Sequence, residues 1–277
     1  MSFDFNPQNG FQKVSYKRKS RLKPKTEIAA QNELDPFFDK LANVRRVIQA
    51  KEELVTTDFF ESVTASLREG LQTLDGKKFD EIICLGLGRV SQLLVSRYQL
   101  ALLLCLRELY GVQVRASDPI FNEHDKILLD YFDVSVVDEN LEGKYRAASG
   151  SVTLFYLPHC SRQLTNNLLW SNWGLNLNSC AIIANSFNQI VESRVGRWEV
   201  NESAGYIARI CPYVLELAVI NSFKYYEVFN DTAVHFFPWN RLKLISEDFW
   251  ERNPEPAYDL TDLEFITKEL PNKVILF

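Results

Sequence analysis

Apolar positions along this chain follow two different spacings. From about residue 35 to 74 they recur every three or four residues: Phe37, Leu41, Val44 and Ile48, then Phe59, Phe60, Val63, Leu67 and Leu71. That is the period of amphipathic helices. Asp35 before Pro36 predicts an N-cap and first-turn pair. Thr56-Thr57-Asp58 divides the stretch into two helices, with Thr57 or Asp58 capping the second, and Asp75-Gly76 closes it.

Beyond residue 80 the pattern changes to short apolar runs separated by helical stretches. Strands are predicted at about 81–85, 112–117, 134–137, 152–157 and 180–184, with further ones at 214–220 and 234–237. Helices are predicted between them at about 91–110, 122–132, 162–172 and 187–194. The runs hold four to seven apolar residues without alternation, which signals burial on both faces, as in a parallel sheet. The expected fold is therefore α/β: a Rossmann-like, doubly wound, mostly parallel sheet with an N-terminal helical extension. The boundaries that follow are a basic, disordered tail over 1–30, the helical extension over 31–76, the Rossmann-type domain over 77–240, and an acidic segment over 241–277 that packs on the domain or trails from it.

Composition narrows the class. The 277 residues are 46% hydrophobic and 13% aromatic, enough for a sizeable core and incompatible with global disorder. The net charge of −5 hides an asymmetry: residues 1–30 hold seven basic side chains against Asp4 and Glu27, about +5, leaving about −10 on the rest. A solvated tail is the commonest form of such a run, with an import signal or nucleic-acid contact as the functional alternative. Aromatic residues are not interleaved through its basic core and the body is acidic, so nucleic acid is not an expected partner. The five cysteines (Cys84, Cys105, Cys160, Cys180 and Cys211) form no C-x-x-C pair and read as reduced thiols rather than a disulfide frame or a zinc site. No apolar run reaches membrane-spanning length. Together these predict a soluble protein, cytoplasmic and possibly also nuclear, with unknown protein partners.

Candidate chemistry gathers where open parallel sheets bind ligands, outside the carboxyl ends of the strands at the point where strand order reverses. Gly86 and Gly88 follow the first strand, Asp118 the second, Pro158-His159-Cys160 the fourth and Asn185-Ser186 the fifth. Gly86 and Gly88 permit a tight turn and close approach of a phosphate, ribose or amino-acid group, or simply make the strand–helix turn. Ser91 stands where G-x-G-x-x-G has its third glycine, and Asp118 comes thirty residues after Gly88, later than the usual ribose-binding acid. The cofactor-binding candidates are thus Gly86, Gly88, Asp118, His159 and Asn185, for a ligand such as S-adenosylmethionine or a dinucleotide. His159 is the candidate acid or base by position, or else a loop anchor. Cys160 would need a depressed pKa to act as a nucleophile, and a metal on His159 and Cys160 would lack two further ligands. Asn185 and Ser186 fit a helix cap better than a ligand contact. In helix 91–110 the polar run Arg97-Tyr98-Gln99 reads best as a buried hydrogen-bond network.

Several segments resemble the "sensitivity to red light reduced" (SRR-like) domain family: CLGLG at 84–88, RYQLALLL at 97–104, DPIF at 118–121, FYLPHC at 155–160, NLLWSNW at 167–173, IIANSF at 182–187 and NDTAVHFFPW at 230–239. They occur in the family's order over roughly 80–240. The shared polar positions are Gly86, Gly88, Arg97, Gln99, Asp118, His159, Asn185, Ser186, Asp231 and His235. The resemblance implies a regulatory protein, linked to circadian-clock and light-response gene regulation and to regulation of haem biosynthesis, with no catalytic residues to carry over. The alternative is an S-adenosylmethionine- or nucleotide-dependent enzyme using the Gly86/Gly88 loop.

Overall fold

The computed structural model describes residues 38–193 and 205–268. The basic run and the Asp35-Pro36 pair lie outside them. Two helices open the described chain, α1 (Lys40–Val55) and α2 (Asp58–Gln72). Asp39 caps α1 by accepting the Ala42 amide, and Thr57 caps α2 by accepting the Phe60 amide. The chain then alternates: β1 (Phe79–Leu85), α3 (Leu94–Tyr110), β2 (Gln113–Ser117), α4 (Glu123–Tyr131), β3 (Ser135–Val136), β4 (Val152–Tyr156), α5 (Arg162–Ser171), β5 (Cys180–Asn185) and α6 (Phe187–Glu192). After it come α7 (Gly205–Ile210), β6 (Leu215–Ala218), β7 (Thr232–Phe236), α8 (Trp239–Leu242) and α9 (Glu247–Glu251).

The strands form one sheet of order β3-β2-β1-β4-β5-β7-β6. β1 to β5 are mutually parallel, while β7 runs antiparallel to both β5 and β6. This is a doubly wound, Rossmann-like α/β arrangement with a reversed strand inserted next to β5. Period-2 alternation sends neighbouring apolar residues to opposite layers. Ile82, Cys84, Leu154, Tyr156, Ala181 and Ile183 join the core beneath α1 to α4. Ile83, Leu85, Phe155, Leu157, Ile182 and Ala184 join the core beneath α5, α7 and α8. That two-sided burial is why these strands read as unbroken apolar runs.

Two boundaries differ from the sequence pattern for visible reasons. The helix expected from residue 91 begins at Leu94, because Ser91 is held by Asp125: both its amide and its hydroxyl reach Asp125 Oδ1, at 2.8 and 2.7 Å. Val214–Ile220 contributes only Leu215–Ala218 to the sheet, where pairing with β7 ends. At the carboxyl end of α3, Gly111 takes the left-handed conformation (φ 65°) and its amide reaches back to Arg107, closing the helix.

The segment after α9 lies across α5. Tyr258 Oη donates to Asn167 Oδ1 at 2.7 Å and accepts from Asn166 Nδ2 at 3.0 Å, and the Gln163 amide bonds the Asp262 carbonyl and the Glu264 amide. Gln163, Asn166 and Asn167 are buried polar residues, and these bonds satisfy them.

Candidate functional site

The chain runs outward from β1 through β2 to β3, then returns to β4 on the other side of β1. The reversal therefore falls between the carboxyl ends of β1 and β4, where Brändén-type crevices form. Gly86 and Gly88 leave β1, Asp118 leaves β2, Pro158-His159-Cys160 leaves β4 and Asn185 ends β5. The expected site residues thus share one rim, and each has a defined protein partner there.

Gly86 and Gly88 both have positive φ, 67° and 76°, a conformation other residues adopt only at a cost. Their open sides face protein. A Cβ on Gly86 would lie 2.5 Å from Cys160 Sγ, and one on Gly88 would lie 2.5 Å from Ser96 Oγ. The Gly88 amide donates to Asp118 Oδ2 at 2.7 Å, and Asp118 Oδ1 accepts the Ile120 amide at 3.1 Å. Asp118 therefore clamps the glycine turn to the end of β2. Burial raises its pKa above the ordinary carboxylate range, partly offset by those two amides. Its oxygens keep lone pairs for a ligand hydroxyl.

His159 stands in a tight turn with Pro158 before it and a positive φ of 52°. A Pro followed by a residue of positive φ is the pattern of a type II turn, a place usually held by glycine or asparagine. The imidazole is tied down: Nε2 lies 2.8 Å from the Val228 carbonyl, so the tautomer with hydrogen on Nε2 is the one that bonds. Gln99 Nε2 donates to the same carbonyl at 3.2 Å, and the Gln99 carbonyl accepts from Tyr156 Oη at 3.3 Å. The polar run in α3 is thus a network for Gln99, and for Tyr98, whose hydroxyl donates to Glu53 at 2.5 Å. Arg97 takes no part, and its Nε is buried without a partner among the described residues.

Cys160 points its thiol to the Leu85 carbonyl at 3.1 Å, and burial, reinforced by the Asp118 carboxylate, drives its pKa far up. It is packed as a hydrophobe, not poised as a thiolate. Asn185 Nδ2 donates to the Cys160 carbonyl at 3.2 Å, while Ser186 caps α6 by accepting the Gln189 amide. Among the described residues no three His, Cys, Asp or Glu side chains converge as a metal site would need. All five cysteines are free.

A second polar cluster went unread in the sequence. His235 is fully buried, with Nδ1 3.1 Å from the Ile182 carbonyl and Nε2 3.3 Å from Glu216 Oε2, and its ring stacks on Phe187. Glu216 also accepts from Ser186 Oγ and from the Asn188 amide. Burial pushes the Glu216 carboxyl up, but the bond and charge of His235, helped by Ser186 and Asn188, outweigh it and bring the pKa to about 2. Glu216 and His235 come from separate strands that pair only in the folded sheet, so local spacing could not have joined them. The Asn122–Asp125 capping box was legible as N-x-x-D, although the grip of Asp125 on Ser91 was not. A shallow groove of about 470 Å³ near Arg68, Leu71, Leu109 and Tyr110 lies at the amino ends of β1 and β2, away from the rim.

The fold and the rim define this chain as a Rossmann-like α/β protein with its polar groups gathered at the strand switch point. The SRR1 domain model matches residues 53–236, and the chain belongs to the SRR1 family. It is 30% identical over 203 residues to an SRR1-like protein of Drosophila melanogaster, covering 72% of this chain and 70% of the fly protein. It is 33% identical over 211 residues to an SRR1-like protein of Mus musculus, covering 64% and 83%. The protein SENSITIVITY TO RED LIGHT REDUCED 1 of Arabidopsis thaliana is 24% identical over 230 residues, covering 81% and 77%. Among solved structures, the plantazolicin methyltransferase BpumL overlaps at a TM-score of 0.34 with 12% identity, over 69% of this chain and 88% of that one. An overlap this low carries no functional weight. No helix among the described residues is long and apolar enough to cross a membrane.

Proposed function

We propose that this protein is a regulator that acts by binding: a small ligand enters the rim between β1 and β4, and protein partners read the occupied state. His159 carries the reading. A non-glycine residue held at φ 52° costs stability that glycine would spare, and such strain tends to persist where a side chain is needed. Its turn leaves β4 at the switch point, on the same rim of strand ends as Asp118. S-adenosylmethionine, a dinucleotide or another nucleotide are the ligands the rim suits. Light-response and circadian gene regulation, and regulation of haem biosynthesis, are the outputs that family membership suggests, and the Arabidopsis relative's name accords with the first.

The test is a thermal-shift series with S-adenosylmethionine, NAD(P) and nucleotides on the wild type, Asp118→Asn and His159→Asn, backed by native mass spectrometry. A ligand that stabilises the wild type and is weakened by both substitutions supports the reading. No shift from any of them overturns it. The second reading, an enzyme dependent on S-adenosylmethionine or a nucleotide, is favoured by Asp118, which stands at the end of β2 where a ribose-binding acid is found. Turnover of the stabilising ligand would select it.

A further inference from the structure

We propose that the first turn of α3 is a binding site for a phosphoryl group, formed by the Arg97 guanidinium, the Ser96 hydroxyl and the uncapped amides of Leu94 to Ser96, with Arg46 adding positive charge. This deepens the ligand-binding reading of the rim by naming the ligand's anionic part, and it rests on that reading for the rest of the ligand.

Four observations converge. Arg97 is partly buried, its Nε has no hydrogen-bond partner, and it makes no ion pair among the described residues. The charge that acts on it most is a cation: burial lowers its pKa first and the Arg46 guanidinium lowers it further. Two other half-buried arginines differ, since Arg115 pairs with Glu81 and Arg209 reaches backbone carbonyls. A partly buried cation with a like charge acting on it and its Nε unbonded carries a cost that an anion would relieve.

Second, Ser96 is only 3% exposed, and its hydroxyl makes no hydrogen bond among the described residues. Its Oγ faces the open side of Gly88, on the glycine turn itself. Third, α3 has Leu93 as its N-cap residue, with no side-chain cap, and no acidic residue in its first turn. Its leading amides therefore lack helical acceptors, and no acidic residue of its own first turn offsets the positive end of a 17-residue helix, the nearby carboxylates of Asp118 and Asp125 being taken up by Gly88 and Ser91. Fourth, side chains on a helix lean toward its amino end, which directs Arg97 toward those amides. A planar guanidinium fork, a hydroxyl and free amides together match the several oxygens of a phosphoryl group.

The experiment uses the full chain in phosphate-free buffer, titrated with inorganic pyrophosphate by calorimetry and thermal shift, against sodium chloride at matched ionic strength. Pyrophosphate should raise the Tm of the wild type where chloride does not. Arg97→Gln should weaken pyrophosphate binding by about tenfold to a hundredfold, the worth of a charge-assisted hydrogen bond. The same variant without ligand should melt at or above the wild-type temperature, since an unpaired charge is removed. Ser96→Ala should lose a smaller part of the affinity. A wild type indifferent to pyrophosphate overturns the proposal. So does an Arg97→Gln protein that melts lower in the absence of ligand yet binds pyrophosphate as before. If pyrophosphate binding depends on Arg97 while Asp118→Asn and His159→Asn leave every ligand unaffected, the phosphoryl site stands and the wider rim reading falls. If nucleoside ligands depend on Asp118 but not on Arg97, the rim stands and this site falls.

Discussion

Replacing His159 by glycine and by alanine separates backbone strain from side-chain bonding. The residue sits at φ 52°, which costs a non-glycine residue about 1–2 kcal/mol. Its imidazole gains one hydrogen bond, to the Val228 carbonyl at 2.8 Å, worth about 1 kcal/mol net. Alanine keeps the strain and loses the bond, so His159→Ala should destabilise by about 1 kcal/mol. Glycine loses the same bond but relieves the strain, against a cost of about 0.5–1 kcal/mol for the extra freedom of its unfolded chain. His159→Gly should therefore match or exceed His159→Ala, by about 0.5–1 kcal/mol. That order reverses the usual one, in which alanine is the more stable. Urea unfolding at constant m-value gives the comparison directly. An alanine variant clearly more stable than the glycine variant would refute the claim that the turn is strained at this position, and with it the argument that the imidazole is kept for a purpose. If the order holds and both variants lose ligand binding, the stability cost and the function belong to the same side chain.

Other perturbations test separate parts of the structure. Gly70→Ala would place a methyl 1.9 Å from the Phe236 ring, which is fully buried. Overpacking of about 1–3 kcal/mol or more should outweigh the helix-propensity gain of about 1 kcal/mol, and a lowered urea midpoint would register it. Gly88→Val should lower global stability, because it combines positive φ with a contact at 2.5 Å to Ser96; a variant that melts like the wild type would contradict the packing of this turn. Glu216 supplies a pH dependence. Its folded pKa of about 2 lies below the ordinary 4.5, so its contribution, on the order of 3 kcal/mol, is full above about pH 4.5 and is lost as pH falls toward 2. Urea midpoints followed from pH 6 downward should drop more steeply for the wild type than for Glu216→Gln. Thiol labelling of the native protein should reach Cys211 alone and slowly, since the other four cysteines are buried and burial raises the Cys211 pKa as well; intact mass would count the labels.

Much of the architecture was decided locally and could be read from the chain. Apolar runs of four to seven residues, helical spacings between them and stop signals such as Gly111 and Asp75-Gly76 marked nearly every element of the sheet, because burial on both faces leaves no polar alternation to confuse the pattern. The residues at the ends of β1, β2, β4 and β5 were placed on one rim by the same logic, since parallel strands deliver all their carboxyl ends to one edge. What the residues bond to there was not legible. Asp118 gripping Gly88, His159 reaching Val228 across 69 residues and Glu216 meeting His235 are contacts between segments far apart in the chain. They depend on the sheet order and on the antiparallel setting of β7, which leaves no mark in the spacing of a short apolar run. The unbonded Nε of Arg97 is likewise a tertiary fact: a positive charge amid an apolar helix suggested a network, and only the folded packing around α3 shows that this nitrogen meets no partner among the described residues. Sequence determined the elements and the edge where chemistry gathers, because helix period, strand burial and turn chemistry are local. The tertiary structure alone decided which of those groups are satisfied and which are left open, because desolvation and pairing are set by neighbours that only folding brings within reach.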